Sequence, residues 1–157
     1  MGYPGIPPVQ QYAQPASPPP TSDERNMAML CHVLMIFTGF IAPLIIYLVK
    51  RDSKFVRFHS LMALFWQLIV LAISMIWVVA LLATMFGSIM QQAQHPTPSG
   101  SMPPMPFLTL FPIMWTGSMF FWIINVILGI VFGIKAHDGK WDGYPVIKGW
   151  AAKAAGV

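Results

Sequence analysis

Charge is what this sequence has least of. Its 157 residues include 9 Lys and Arg and 5 Asp and Glu, so charged residues make up 9% of the chain, and none occurs from Phe58 through Ile134. Soluble domains carry about 25%. A charge-free stretch of that length cannot surround itself with water, which excludes a soluble fold and places the chain in the bilayer class. Cysteine is nearly absent too. The single Cys31 excludes an intrachain disulfide framework and a Cys-based zinc site, and it reads as a small apolar packing residue. No carboxylate lies in any apolar segment, which removes an aspartyl intramembrane protease and argues against a carboxylate proton relay. There is no GxxxxGK[ST] or GxGxxG, and Asp138 to Gly143 does not fit an EF-hand loop. Cys31 and His32 are adjacent on a helix and so do not face each other, which argues against a Cys-His nucleophile. Neither an enzyme nor a cofactor is expected. The formal charge of +4 would suggest nucleic acid only if the cations clustered on a solvated face. They flank apolar segments instead, so no nucleic-acid partner is expected.

Proline is present and unevenly placed. Of 15 prolines, seven fall in Met1 to Pro20 and five in Gln91 to Pro106, and proline-dense segments of this kind are poor helices. Residues 1–20 read as a disordered, partly polyproline II tail. Thr21 and Glu24 are spaced as a capping box that opens a helix. Three apolar segments follow, at about 26–49, 59–86 and 107–134, separated by a basic turn at 50–57 and a Met/Pro-rich loop at 87–106. The expected fold is an all-α integral membrane protein with three transmembrane helices. Its first span is kinked or broken at Gly39 and Pro43, because Pro43 cannot bond to the carbonyl four residues back. Residues 135–157 read as an amphipathic tail along the membrane surface, with Trp141, Tyr144 and Trp150 at the interface.

With three spans, Lys50, Arg51, Lys54 and Arg57 share a side with Lys135 and the tail, and only Arg25 lies opposite. Counting cations then puts the C-terminus in the cytoplasm and the N-terminus outside a bacterial inner membrane. One alternative keeps the N-terminal tail cytoplasmic: Gly39 to Pro43 turns the first segment back as a re-entrant hairpin, whose backbone must then be buried in protein.

In hydrocarbon, small and polar residues at helical spacing mark faces turned toward other helices. Ser60, Gln67 and Ser74 recur every seven residues on the second span. Asn125, Gly129 and Gly133 recur every four on the third, the last two as a GxxxG. Packing within the chain is the favoured use of both seams, ahead of homodimerisation or a path lined by Gln67 and Asn125. The four histidines do not converge on three spans: His59 and His137 lie at the cytoplasmic boundary, His32 in the outer half of the first helix and His95 in the outer loop. A metal held by His59 and His137 with Asp138 or Asp142 is disfavoured against ordinary hydrogen bonding. So is Cu(I) on Met90, His95, Met102 and Met105, because methionine commonly replaces leucine in an apolar chain.

Ser22-Asp23-Glu24-Arg25 with Cys31-His32, Gly39 with Pro43, Lys50-Arg51-Asp52 with His59, Gln67, and Lys135 with Tyr144-Pro145 form a set of short patterns. Together they resemble a bacterial family of small membrane proteins known as domain of unknown function 4870, itself distantly Tic-20-like. The resemblance implies polar roles for His32, His59, Gln67 and Tyr144 but no activity. Met62 and Phe65 stand where that family has polar residues. The functional expectation is a non-catalytic accessory or scaffold subunit, partnered by the lipid bilayer and by copies of itself or a larger membrane-protein complex. The alternative is an oligomeric channel or a Tic-20-like translocation component.

Overall fold

A computed structural model describes residues 18–94 and 106–157. Among these the chain is entirely helical: α1 Ser22–Thr38, α2 Ile41–Val49, α3 Lys54–Gln94, α4 Pro106–His137 and α5 Lys148–Ala155. Helix α1 opens on the capping box. The Glu24 amide donates to Thr21 Oγ1 at 3.3 Å and the Thr21 amide donates to Glu24 Oε2 at 2.8 Å, which satisfies two donors that a helix start leaves free.

The first apolar segment is not a single helix. Helix α1 stops at Gly39, whose φ of 61° lies where a Cβ is strained and glycine is not. The chain restarts as α2 two residues later, with Pro43 in its first turn, where a helix needs no intrahelical amide partner. Helix α2 runs back toward the start of α1, and Lys50 Nζ reaches Asp23 Oδ2 at 2.9 Å. Pro20 and Arg25 likewise lie against Gly139. The start of α1, the basic turn and the chain after α4 therefore meet at one end of the molecule. The break expected at Gly39 is present, the segment 26–49 is two helices rather than one, and the start of α1 lies at the same end as the chain after α4. The physical reason is that two short helices joined at a left-handed glycine can pack antiparallel against a longer neighbour, which a kinked single helix cannot.

The core sits at that end. Cys31, Met35, Phe58, Met62, Tyr144 and Ile147 are buried in one cluster, formed by α1, the first third of α3, the last part of α4 and α5. The other end is different. Beyond Gln67 on α3, Leu71, Ile76, Val79 and Phe86 are exposed, as are Ile113, Trp115 and Phe120 on α4. Exposed apolar surface on that scale belongs in lipid rather than water. Both helices are long and apolar enough to cross a membrane, and at 1.5 Å per residue the 41 residues of α3 extend about 61 Å.

Three boundaries differ from expectation. Helix α3 continues through Gln94 rather than ending near Phe86, because no proline occurs between Lys54 and Gln94. Lys54 and Arg57 lie on its first turn, not in a loop. The C-terminal segment does not simply lie along a surface: Ile147, Ala151 and Ala155 are buried against the core, and Tyr144 is only 2% exposed. Small residues on one face of α5 let its backbone approach α3 closely, leaving Trp150 outward. The tail over 1–17, and His95, Met102 and Met105, fall outside the described residues.

Candidate functional site

Polar side chains in the buried end of the molecule, the base formed by α1, the start of α3, the end of α4 and α5, form a connected chain of hydrogen bonds. His59 Nε2 lies 3.1 Å from the Lys140 carbonyl, His59 Nδ1 lies 3.1 Å from His32 Nε2, and His32 Nδ1 lies 3.3 Å from the Tyr144 hydroxyl. A carbonyl can only accept, so Nε2 of His59 carries its hydrogen. In the neutral pair His59 Nδ1 then accepts from His32 Nε2–H, and His32 Nδ1 accepts from the Tyr144 hydroxyl. One acceptor at the end of the chain fixes both tautomers. Burial pushes the Tyr144 phenol above the ordinary tyrosine range, which keeps it a donor.

These residues come from three separated places, and the fold explains each. His32 sits on the inner face of α1, one turn before Met35, and His59 is on the first turns of α3, where the rings of Phe55 and Phe58 pack edge-on to it. Tyr144 arrives on the turn after α4. The expectation that the histidines lie on separate levels is thus corrected for His32 and His59. The return of α2 along α1 keeps the start of α1 at the basic end, and His32 on α1 meets His59 there. His137 ends α4 and takes no part.

A second polar cluster continues the first. Asn125 Oδ1 accepts from Trp66 Nε1 at 2.8 Å and from Gln67 Nε2 at 3.3 Å, and Gln67 also donates to the Met35 carbonyl at 3.2 Å. Trp66 stacks on Tyr144 with ring centroids 5.0 Å apart, joining the two clusters. Cys31 donates to the Met27 carbonyl at 3.2 Å and lies 3.1 Å from Ser60 Oγ, so the Ser60 hydroxyl is the donor to sulfur. Among the described residues no buried side-chain nitrogen or oxygen lacks a partner. In a low-dielectric interior such a network rigidifies one arrangement of helices.

The small-residue seam lies against α1. A Cβ on Gly129 would stand 2.9 Å from the His32 carbonyl oxygen and from Ile36, and one on Gly133 would stand 3.4 Å from Val33. Only glycine at 129 permits that approach, and the GxxxG face is occupied within the chain. Ser74 departs from its seam: it is exposed and donates to its own Val70 carbonyl at 2.8 Å. Trp66 escaped sequence reasoning, although a membrane-buried indole N–H needs an acceptor and Asn125 was available to serve.

The cations gather at the basic end. Asp142 receives Lys135 Nζ at 2.6 Å and Lys148 Nζ at 3.3 Å. Partial burial raises its carboxyl, but hydrogen bonds from Lys135 and the Gly143 amide, with the lysine charges, outweigh this and hold it below the usual range. Ser53 and the Thr21 amide do the same for Glu24. Among the described residues no group of three or more His, Cys, Asp or Glu could hold a metal.

Comparison with known proteins identifies the kinship. A model of the MamF/MmsF family, described as the magnetosome magnetite crystal formation protein family, matches residues 23–151, and the chain belongs to that family. This replaces the resemblance to domain of unknown function 4870 and its Tic-20-like relatives: the short patterns read for those families lie in a sequence that a different family's model matches over most of its length. No curated protein and no solved structure matches the chain.

Proposed function

We propose that this member of the magnetosome family is a non-catalytic structural subunit of the magnetosome membrane. Two spans, α3 and α4, carry a compact base in the cytoplasmic leaflet, with α1 and α2 as a re-entrant hairpin and both chain ends in the cytoplasm. The ion pair of Lys50 with Asp23 carries this reading. It brings Arg25 to the end that holds Lys50, Arg51, Lys54, Arg57 and Lys135, so the cation asymmetry that orients membrane proteins has no exception. Uncharged stretches longer than a hydrocarbon core of about 30 Å are accommodated by tilt. The α1–α2 turn is mostly exposed, and its amides are bonded locally, Gly39 to the Met35 carbonyl and Ala42 to Thr38 Oγ1, which lowers the cost of irregular backbone at membrane depth.

The histidine–tyrosine chain supports a scaffold rather than a reaction centre, since the ring nitrogens of His32 and His59 are bonded within the protein. On this reading the subunit works as a homo-oligomer or in a larger membrane-protein complex, holding a fixed shape in a membrane where crystals form. The test is sided labelling in a Cys31→Ala background. Ser22→Cys and Gly156→Cys should both react from the cytoplasmic face, and labelling from opposite faces would overturn the topology. Loss of the chain should change crystal size or number, and unchanged crystals would remove the structural role.

A further inference from the structure

Between the two spans, just beyond the base, lies a cavity of about 300 Å³, within the size range of small-molecule pockets. Trp77, Phe121 and Trp122 give it aromatic walls, and Ser74, Ser118 and Asn125 supply its polar atoms. Asn125 is 7% exposed. Its amide orientation is fixed, because Trp66 and Gln67 both donate to Oδ1, so the Nδ2 group carries two hydrogens with no acceptor among the described residues. Every fully buried side-chain nitrogen among those residues has a partner. Asn125 Nδ2 is therefore accessible, and the cavity is the space that Asn125 lines. An unpaired amide donor facing a hydrocarbon-lined space is costly unless a bound group accepts from it.

We infer that this cavity binds a planar, carbonyl-bearing, lipid-soluble molecule of the quinone class. Three observations select the class. The donor needs an acceptor, which a plain acyl chain lacks. The aromatic walls suit a flat ring by stacking. Asn125 precedes Lys135 by ten residues of α4, about 15 Å along the helix and so near the midplane of a hydrocarbon core of about 30 Å, where phospholipid ester carbonyls do not sit but quinone rings can. A second helix is too wide for the space: with side chains it is about 10–12 Å across. The Ser118 hydroxyl, on the same wall as Asn125, is a second donor for the same ring.

The full-length protein in nanodiscs of phosphatidylethanolamine and phosphatidylglycerol, titrated with decylubiquinone, should show saturable quenching of tryptophan fluorescence. The matching alkylbenzene, which lacks carbonyls, should not compete. Ser74→Phe fills the cavity from α3 and Ser118→Leu from α4. Each should raise the half-saturating concentration at least about tenfold, the effect of roughly one hydrogen bond's worth of affinity, with circular dichroism unchanged. Quenching linear in concentration, or equal in wild type and a folded filled variant, would overturn the proposal. Near-complete disulfide dimers of Ser118→Cys in a Cys31→Ala background would also overturn it, by giving the space to a second copy. Competition by the alkylbenzene would overturn the quinone class and reassign the space to lipid tails.

Discussion

The two ends of α3 teach different lessons from the same kind of composition. From Lys54 to Gln67 the helix is buried on most sides, and its polar residues His59, Ser60 and Gln67 are all bonded to other helices. From Leu68 to Met90 it is mostly exposed, and its polar residues Ser74, Thr84 and Ser88 bond only to carbonyls three or four residues back on their own turn. A hydroxyl can satisfy itself within a helix, whereas an imidazole or amide side chain has to find another element. Polar residue type, more than hydrophobicity, therefore separates the part of α3 that organises the fold from the part that meets lipid.

Substitutions at the two ends should consequently fail in different ways. The largest effect is expected in the base. His59→Leu orphans the His32 ring and the Lys140 carbonyl, at about 1–3 kcal/mol for each buried group, and should lower the melting temperature in detergent by far more than Leu71→Ala on the exposed arm. Similar losses at the two positions would erase the distinction. Next, Ile76→Lys at the centre of the exposed arm should cost about 2.5–3.5 kcal/mol in membrane insertion while leaving the base's melting unchanged in detergent. An inserted fraction equal to wild type in a glycosylation-reporter assay would show that this arm does not span.

Gly129→Val should cost about 1–3 kcal/mol by forcing α4 off the α1 backbone, read as a lower melting temperature. Gly87→Val serves as its control, because a Cβ added at Gly87 would meet nothing within 4 Å. The smallest effect is electrostatic. The lowered carboxyl of Asp142 contributes stability that is present at neutral pH and lost as pH falls through the carboxylate range. Because its side chain is 40% exposed, solvent screening limits the pairs to no more than about 1 kcal/mol. Asp142→Asn should flatten that part of the acid limb in a melting series from neutral to acid pH, and an unchanged slope would remove the pairing from the account.

Much of this was legible residue by residue. The capping box at Thr21, the break at Gly39 and the glycine face on α4 each follow from local chemistry that needs no partner to be known. What was not legible was direction. A glycine that breaks a helix permits either a kink or a return, and the choice depends on whether α2 finds a surface to pack on. The three-span reading carried His32 away from the basic end and so hid its meeting with His59, which the returning hairpin allows. Tyr144 looked interfacial because tyrosines near a membrane's edge commonly are, and its burial depends on α5 docking against α3 beside the Met62 side chain.

The sequence by itself determined that the chain is helical and belongs in a bilayer, because uninterrupted apolar stretches flanked by cations leave few other solutions for backbone hydrogen bonds. It also determined where the helices start and break. Only the tertiary structure decided that the first apolar segment returns to its own starting end, that two histidines and a tyrosine share one bonded chain, and that Asn125 bonds to Trp66 and Gln67 beside a cavity. Those outcomes rest on contacts between residues far apart in sequence, and hydropathy and spacing carry no information about which distant partner a polar group will meet.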